Sequence, residues 1–459
     1  MKALLETLLQ QKDLTRDEAA SGVEAIIQGA DPCQAAAFLV LLKAKGETSQ
    51  EVAGMVSTLR KHWLPVKPGV PCVDIVGTGG DGHHTVNFST AASLVAAACG
   101  ASVAKHGNRS VSSMCGSADV LETLGIDLSL PAAGVERCIR EAGIAFMFAP
   151  NYHPAFKNIV PIRKALGVRT VFNILGPLLN PASCPYLLIG VYNEALVPLM
   201  GEALHSLGVE MAMVVHCGGL DELAPVAVAT VATVRKATGV EMGTLDPFAL
   251  GFAKCTLDDL KGGTAAENAE ILRQVLGGKL PGPVTDTVVL NAAAGLYVSG
   301  RAGSVAEGCT MARAASAPPK PPPSSTRART APRPASLSHR PRSTPPISPH
   351  SPPQPSHRHG LVRAQSRRER RSRRSPSGSP HASRPDRAGA AGRASGRARP
   401  PTLARTVGGA AMSVAGPARG GARLGCLVAS SLACVWQKKP RTRVNHRTLG
   451  LSRRRRCSG

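Results

Sequence analysis

Aromatic residues make up only 3% of the 459 positions, and several patterns that would name a function outright are missing. The 12 cysteines include no Cys-x-x-Cys pair, so zinc spacing is absent. There is no G-x-S-x-G elbow and no P-loop lysine, which removes the signatures of the α/β-hydrolases and P-loop kinases. No charged-then-apolar leader follows Met1, so a secreted disulfide scaffold is not expected. The longest apolar run near the C-terminus, Leu424–Trp436, is far short of the roughly 20 residues that cross a bilayer. These absences point to a reducing, cytoplasmic setting. The plastid stroma is the alternative if a leader lies outside this sequence.

Negative charge is scarce only in one region. Residues 317–459 carry 31 Lys and Arg against two acids, Glu369 and Asp386. That leaves 24 basic and 28 acidic residues in 1–316, so the net charge of +25 belongs to the tail. A basic nucleic-acid-binding reading of the whole chain is thereby excluded, and non-specific binding through the tail is all that charge supports. The tail also holds 21 of the 37 prolines and a single aromatic, Trp436. Such a segment buries too little apolar surface to offset its ordering entropy and is expected to be disordered.

Residues 1–66 read as helices. Leu4, Leu5, Leu8 and Leu9 recur on one face, Thr15/Glu18 and Thr48/Glu51 have capping-box spacing, and Asp31-Pro32 is an N-cap followed by a first-turn proline. From Pro71 the texture becomes α/β: strands are expected at 72–76, 101–104, 145–149, 187–191 and 211–216, with helices at 89–99 and 117–124. The expected architecture is a small helical domain (1–66), a larger α/β domain with a central, mostly parallel sheet (67–316) and the tail (317–459). Some helices of the second segment are expected to return to the first.

The glycines Gly77, Gly79 and Gly82 fit G-x-G-x-x-G, yet His83–Phe88 separate them from the next helix, and Lys105 stands where a ribose-binding acid would end the following strand. The residues beyond the glycines suit phosphate better than a dinucleotide. Thr85, Asn87, Ser89 and Thr90 place hydroxyl and amide groups at a helix start, where backbone N–H groups and the helix dipole favour an anion. Lys105 and Arg109 add charge, Gly107 lets the next loop turn, and Asn108, Ser110, Ser112 and Ser113 add donors. Asp221-Glu222, after the strand 211–216, supplies the hard oxygens that suit Mg2+ beside a diphosphate. His106, His153 and His216 have no zinc spacing and read as loop or capping residues.

These motifs resemble the anthranilate phosphoribosyltransferase family over about residues 1–313. The resemblance rests on Gly77–Gly82 with Thr85 and Asn87–Thr90, on Lys105–Arg109, Gly116–Asp119 and His153–Lys157, and on Arg163–Thr170, Phe172–Pro177 and Leu220–Glu222. It implies a homodimer with the site in the interdomain cleft. It also implies transfer of phosphoribose from 5-phosphoribosyl diphosphate (PRPP) to the anthranilate amine in tryptophan biosynthesis, with Mg2+ as cofactor. By the same resemblance PRPP is held by Gly77, Gly80, Asp81, Thr85, Asn87, Phe88, Ser89 and Thr90, by the run Lys105, His106, Gly107, Asn108, Arg109, Ser110, Val111, Ser112 and Ser113, and by Ser117. Ser89, Asp221 and Glu222 are the implied metal ligands. Lys105, Asn108 and Arg163 are the implied catalytic residues, with Gly77, Asn108 and Arg163 facing anthranilate and Arg163 matching its carboxylate.

The family carries a further helix after the segment resembling Ala306–Arg313, where this chain has Ala317-Pro-Pro, and proline is expected to stop it. Two other readings stand at this level: a nucleoside phosphorylase of the same fold, and a non-catalytic nucleic-acid-binding relative.

Overall fold

Four helices open the chain: α1 (Lys2–Leu9), α2 (Arg16–Ile27), α3 (Pro32–Lys45) and α4 (Ser49–Lys61). Both expected capping boxes form, with Thr15 and Thr48 accepting from the backbone of Glu18 and Glu51, and Asp31 caps α3 ahead of Pro32. Leu4, Leu8, Val23, Phe38 and Val56 are buried between these helices. The structure is a computed structural model and describes residues 1–110 and 114–317, all within one compact unit. The candidate residues Val111, Ser112 and Ser113, and the tail beyond Ala317, lie outside the described residues.

The α/β part continues as β1 (Val73–Gly77), α5 (Phe88–Ala98), β2 (Val103–Gly107), α6 (Ser117–Thr123), α7 (Ala132–Ala142) and β3 (Ile144–Phe148). Helices α8 (Ala149–Tyr152), α9 (Phe156–Leu166) and α10 (Phe172–Leu175) lead to β4 (Tyr186–Gly190), α11 (Leu196–Ser206), β5 (Met211–His216), β6 (Ala229–Arg235) and β7 (Gly239–Leu245). Helices α12 (Ala265–Leu276), α13 (Pro283–Val298) and α14 (Val305–Ala315) complete the described chain. Helix α14 ends just before Ala317-Pro-Pro, as the prolines require.

The sheet runs β3-β2-β1-β4-β5-β6-β7. The first five strands are parallel and β5-β6-β7 are antiparallel, an extension that the sequence pattern does not mark. One core packs α5 and α13 against Val73, Ile75 and Val103; a second joins the four-helix bundle to Ile159, Phe172, Leu187 and Ile189. Helix α9 packs on α2 and α3, and its Asn158 side chain donates to the carbonyl of Ile27 at 2.8 Å.

One strand needs correction. β2 does not span 101–104; it starts at Val103 and continues through Lys105, His106 and Gly107. A lysine and a histidine look like the end of a strand, yet both are buried here because polar partners meet them inside the sheet.

Candidate active site

Strand order reverses at β1, with β2 and β3 on one side and β4 and β5 on the other. In parallel sheets the crevice at the carboxyl ends of the strands flanking such a point receives ligands. Here those ends are Gly77 and Gly190, paired in register. The chain leaving β5 crosses directly over them. A Cβ on Gly190 would lie 1.6 Å from the backbone oxygen of Asp221, and one on Gly77 would lie 2.3 Å from its Oδ2. Only glycine admits the crossing.

The loop after β1 is fixed from several sides. Thr78 N–H donates to the carbonyl of Gly190 at 2.9 Å and Gly79 N–H to Asp221 Oδ2 at 2.6 Å. Gly79, Gly80 and Gly82 take φ of 69°, 82° and 82°, so the turn requires glycine. Thr85 bridges to Lys261, and Val86 N–H donates to Leu260, anchoring the loop to a distant segment. Asn87 occupies the N-cap position of α5, but its amide ties elsewhere, donating to Cys115 O and accepting from Asn268. Phe88 is buried in the core, and Thr90 is buried with no hydrogen-bond partner for its hydroxyl among the described residues. Ser89 N–H donates to Glu222 Oε1 at 3.1 Å, which brings the second acid of the pair to the helix N-terminus.

Lys105 joins the two loops. Its Nζ donates to Ile75 O at 2.7 Å and to Ser89 Oγ at 3.2 Å; burial pushes its pKa down, while the charges of Asp74 and Glu222 oppose that. The loop after β2 folds tightly on itself. A Cβ on Gly107 would meet Ser117 Oγ at 2.3 Å, and Ser117 Oγ donates to Asn108 O at 3.2 Å. Asn108 is exposed and accepts from Arg109 N–H, and Ser110 N–H donates to Asp119. Arg109 differs from expectation: Asp119 (2.9 Å) and the surface acid Glu122 (2.8 Å) engage its guanidinium locally.

Asp81, Asp221 and Glu222 converge. Burial, and then the neighbouring charge of Asp81, pushes Asp221 up to about 7; burial and the charge of Asp221 push Glu222 up to about 8. Asp81 Oδ2 is buried without a hydrogen-bond partner. A divalent cation would satisfy such a group of carboxylates. Among the described residues no set of three or more His, Cys, Asp or Glu is arranged to hold a metal by itself. Carboxylate oxygens of this kind are the hard donors that suit Mg2+, which binds through one or two carboxylates and takes its remaining oxygens from phosphates and water.

On the bundle side the contacts run as a chain. The guanidinium of Arg163 lies 5.7 Å from the Phe172 ring, and Phe172, Phe156 and His153 succeed one another edge-on. His153 Nε2 lies 3.1 Å from His106 Nε2, next to Lys105 in sequence. Burial holds both histidines down, His106 to about 3 and His153 to about 4. Sequence alone reads these two as isolated loop residues; their pairing across 47 positions leaves no local signal. Arg169 is a site residue that the sequence reading misses. Its guanidinium donates to Gly80 O and lies 4.4 Å from the Tyr192 ring, so it clasps the glycine loop from outside. His216 Nδ1 donates to Val191 O and its Nε2 accepts from Gly219 N–H, a loop-bracing role as expected.

Comparison with known proteins places this architecture. Residues 2–63 match the helical bundle domain of the glycosyl transferase family and residues 69–317 its a/b domain. The anthranilate phosphoribosyltransferase of Chlamydia caviae is 46% identical over 321 residues, covering 68% of this chain and 91% of that protein. That of Thermomicrobium roseum is 48% identical over 317 residues, covering 68% and 91%. Among solved structures, the Thermus thermophilus anthranilate phosphoribosyltransferase matches with a TM-score of 0.64 at 42% identity, covering 68% of this chain and 94% of that one. The Saccharomyces cerevisiae enzyme, in complex with PRPP and Mg, matches with a TM-score of 0.62 at 28% identity, covering 68% and 92%.

Proposed function

Since the chain belongs to the anthranilate phosphoribosyltransferases of the glycosyl transferase family, we propose that its β1/β4 crevice transfers phosphoribose from PRPP to anthranilate with Mg2+ as cofactor. The product is N-(5-phosphoribosyl)anthranilate, with diphosphate released, a step of tryptophan biosynthesis. The observation that carries the proposal is the convergence of the glycine loop, Lys105 and the Asp81/Asp221/Glu222 group at one crevice.

Asp221, Glu222 and Ser89 would hold Mg2+, which supplies positive charge to the diphosphate oxygens. The chain's own residues do the rest. Backbone N–H groups of Gly80–Gly82 and the dipole of α5 favour phosphate here, and Thr85, Asn87 and Ser117 line the approach. The described part of the loop after β2, Lys105–Ser110, forms the facing wall, with Asn108 exposed toward solvent. Arg163 pairs with the anthranilate carboxylate, a planar match that orients the amine toward the anomeric carbon. The bond that forms joins the amine nitrogen to that carbon, the bond that breaks frees diphosphate with its electron pair, and the proton lost from the amine passes to water or to the released diphosphate. Catalysis rests on positioning and on charge stabilisation, not on a strong base: burial lowers the nearby imidazoles to about 3 and about 4, which makes them weak proton acceptors.

A homodimer is part of the same reading. No helix among the described residues is long and apolar enough to cross a membrane. The deciding assay tracks anthranilate consumption and diphosphate release with PRPP, with and without Mg2+. Turnover that requires all three components supports the proposal. Metal-independent, phosphate-dependent cleavage of a nucleoside would replace it with the phosphorylase reading.

A further inference from the structure

β1 and β2 are neighbours in the sheet, yet they share one register pair, Val73↔Val103, whereas β1–β4 and β2–β3 share five each. Beyond that pair, side chains bridge the seam. Lys105 Nζ donates to Ile75 O at 2.7 Å, and His106 N–H donates to Asp74 Oδ1 at 3.3 Å. Asn180 Nδ2 donates to Asp74 Oδ2 and to Ala104 O, both at 2.7 Å. By the alternation of strands, Asp74 enters the seam from the face opposite Lys105. Asp74 is fully buried and Lys105 and Asn180 are 3% exposed. A buried carboxylate with two hydrogen bonds and a nearby ammonium is a satisfied bracket, not a defect.

The seam runs to the carboxyl ends of the two strands, from which the glycine loop and the loop starting at Asn108 emerge. Its width sets how far apart these two walls stand. We propose that Asp74 and Asn180 are positioning residues for the phosphoribosyl donor, bracing the β1/β2 seam at the separation at which both loops reach one PRPP molecule. The inference rests on the phosphoribosyltransferase reading. Neither residue touches substrate; both act through β2 and Lys105. The acceptor side, built on α9 and α10, is braced separately and is left in place.

The test is steady-state kinetics on the full chain with both substrates varied, accompanied by thermal unfolding and by direct titration of PRPP with Mg2+. In Asp74→Asn one amide oxygen replaces two carboxylate oxygens, so either His106 N–H or Asn180 Nδ2 loses its acceptor. The expected result is a KM for PRPP raised about tenfold or more, with the KM for anthranilate within about threefold of wild type. If Asp74→Asn does not fold, Asn180→Ala, which leaves Asp74 in place, carries the same expected split. Glu51→Gln, at a fully buried acid in the bundle, is the control: it should lower stability and leave both KM values unchanged. An Asp74→Asn variant that raises both KM values equally, or changes only the melting temperature, overturns the proposal. Wild-type enzyme that turns over neither substrate would instead sink the underlying functional reading, so the two failures are distinguishable.

Discussion

The backbone carbonyl of Asp221 occupies the space that a side chain on Gly190 would need, 1.6 Å from the position of its Cβ. Backbone, unlike a flexible side chain, cannot swing aside. Gly190→Ala should therefore move the Asp221-Glu222 turn, cost about 3 kcal/mol of stability and depress activity more than stability. Gly77→Ala meets the Asp221 carboxylate instead, and should weaken Mg2+ response at a smaller stability cost. Denaturant unfolding paired with Mg2+ titration of activity checks both; an alanine at 190 with wild-type kinetics would show that the crossing is not needed.

Asp221 and Glu222 should act as a pair toward the metal. Asp221→Asn keeps an oxygen for Gly79 N–H, and Glu222→Gln keeps one for Ser89 N–H, so the loop geometry survives while charge is lost. Each is expected to raise the Mg2+ concentration for half-maximal activity about tenfold or more. Chelation by EDTA should abolish turnover in wild type, and added Mg2+ should restore it. Activity that persists in EDTA would remove the metal from the mechanism.

Arg163 is the expected reader of the anthranilate carboxylate. It is partly buried against Phe172, and burial pushes its pKa down. Arg163→Ala should raise the KM for anthranilate about 10- to 100-fold, the equivalent of a lost charged hydrogen-bond pair, and leave that for PRPP within about threefold. Arg163→Lys keeps the charge without the fork and should recover only part. An unchanged anthranilate KM in the alanine variant would reassign the residue.

Arg169, six positions after Arg163, holds the glycine loop through Gly80 O and the Tyr192 ring. Removing its hydrogen bond to Gly80 O and its stacking on Tyr192 should cost about 1 kcal/mol of loop ordering. The expected signature of Arg169→Ala is a PRPP KM raised about three- to tenfold with normal thermal stability. Equal kinetics with wild type would make the clasp a surface contact only.

The range of each signal decides how much of the fold and site is legible in the sequence. Capping boxes at Thr15 and Thr48 and the glycine turn at Gly77–Gly82 are local, and residue type alone specifies them. Asp221-Glu222 can be read as metal ligands only because a phosphate loop lies elsewhere in the chain; their contacts with Gly79 and Ser89 span 142 and 133 positions. The β1/β2 seam is not legible. A buried lysine in a strand contradicts hydropathy, and only the fold supplies Ile75 O, Ser89 and Asp74 to receive it. The antiparallel β6-β7 edge escapes for a different reason: in β7, Glu241 to Thr244 are exposed, so no buried alternation marks it.

The histidine pair makes a prediction about pH. An ordinary histidine in the unfolded chain takes a proton near pH 6.5. Burial keeps His106 and His153 neutral in the fold down to about 3 and about 4. Between pH 6.5 and 4 the unfolded state thus binds more protons, and these two residues make stability fall as pH falls, by about 1.4 kcal/mol per pH unit each. Asp74, pushed up to about 6 by burial, works the other way: the folded chain protonates it first and gains stability over the same interval, as Asp221 and Glu222 do. The wild-type curve mixes both signs, so a difference is the useful measurement. His153→Gln removes one buried imidazole and relieves the other of its neighbour. Between pH 7 and 5 the variant should lose less stability than wild type by about 2 kcal/mol, read from urea unfolding at each pH. A gap between the two proteins that stays constant with pH would mean that the pair is already charged in the fold, and the neutral, non-basic character assigned to this side of the crevice would have to be given up.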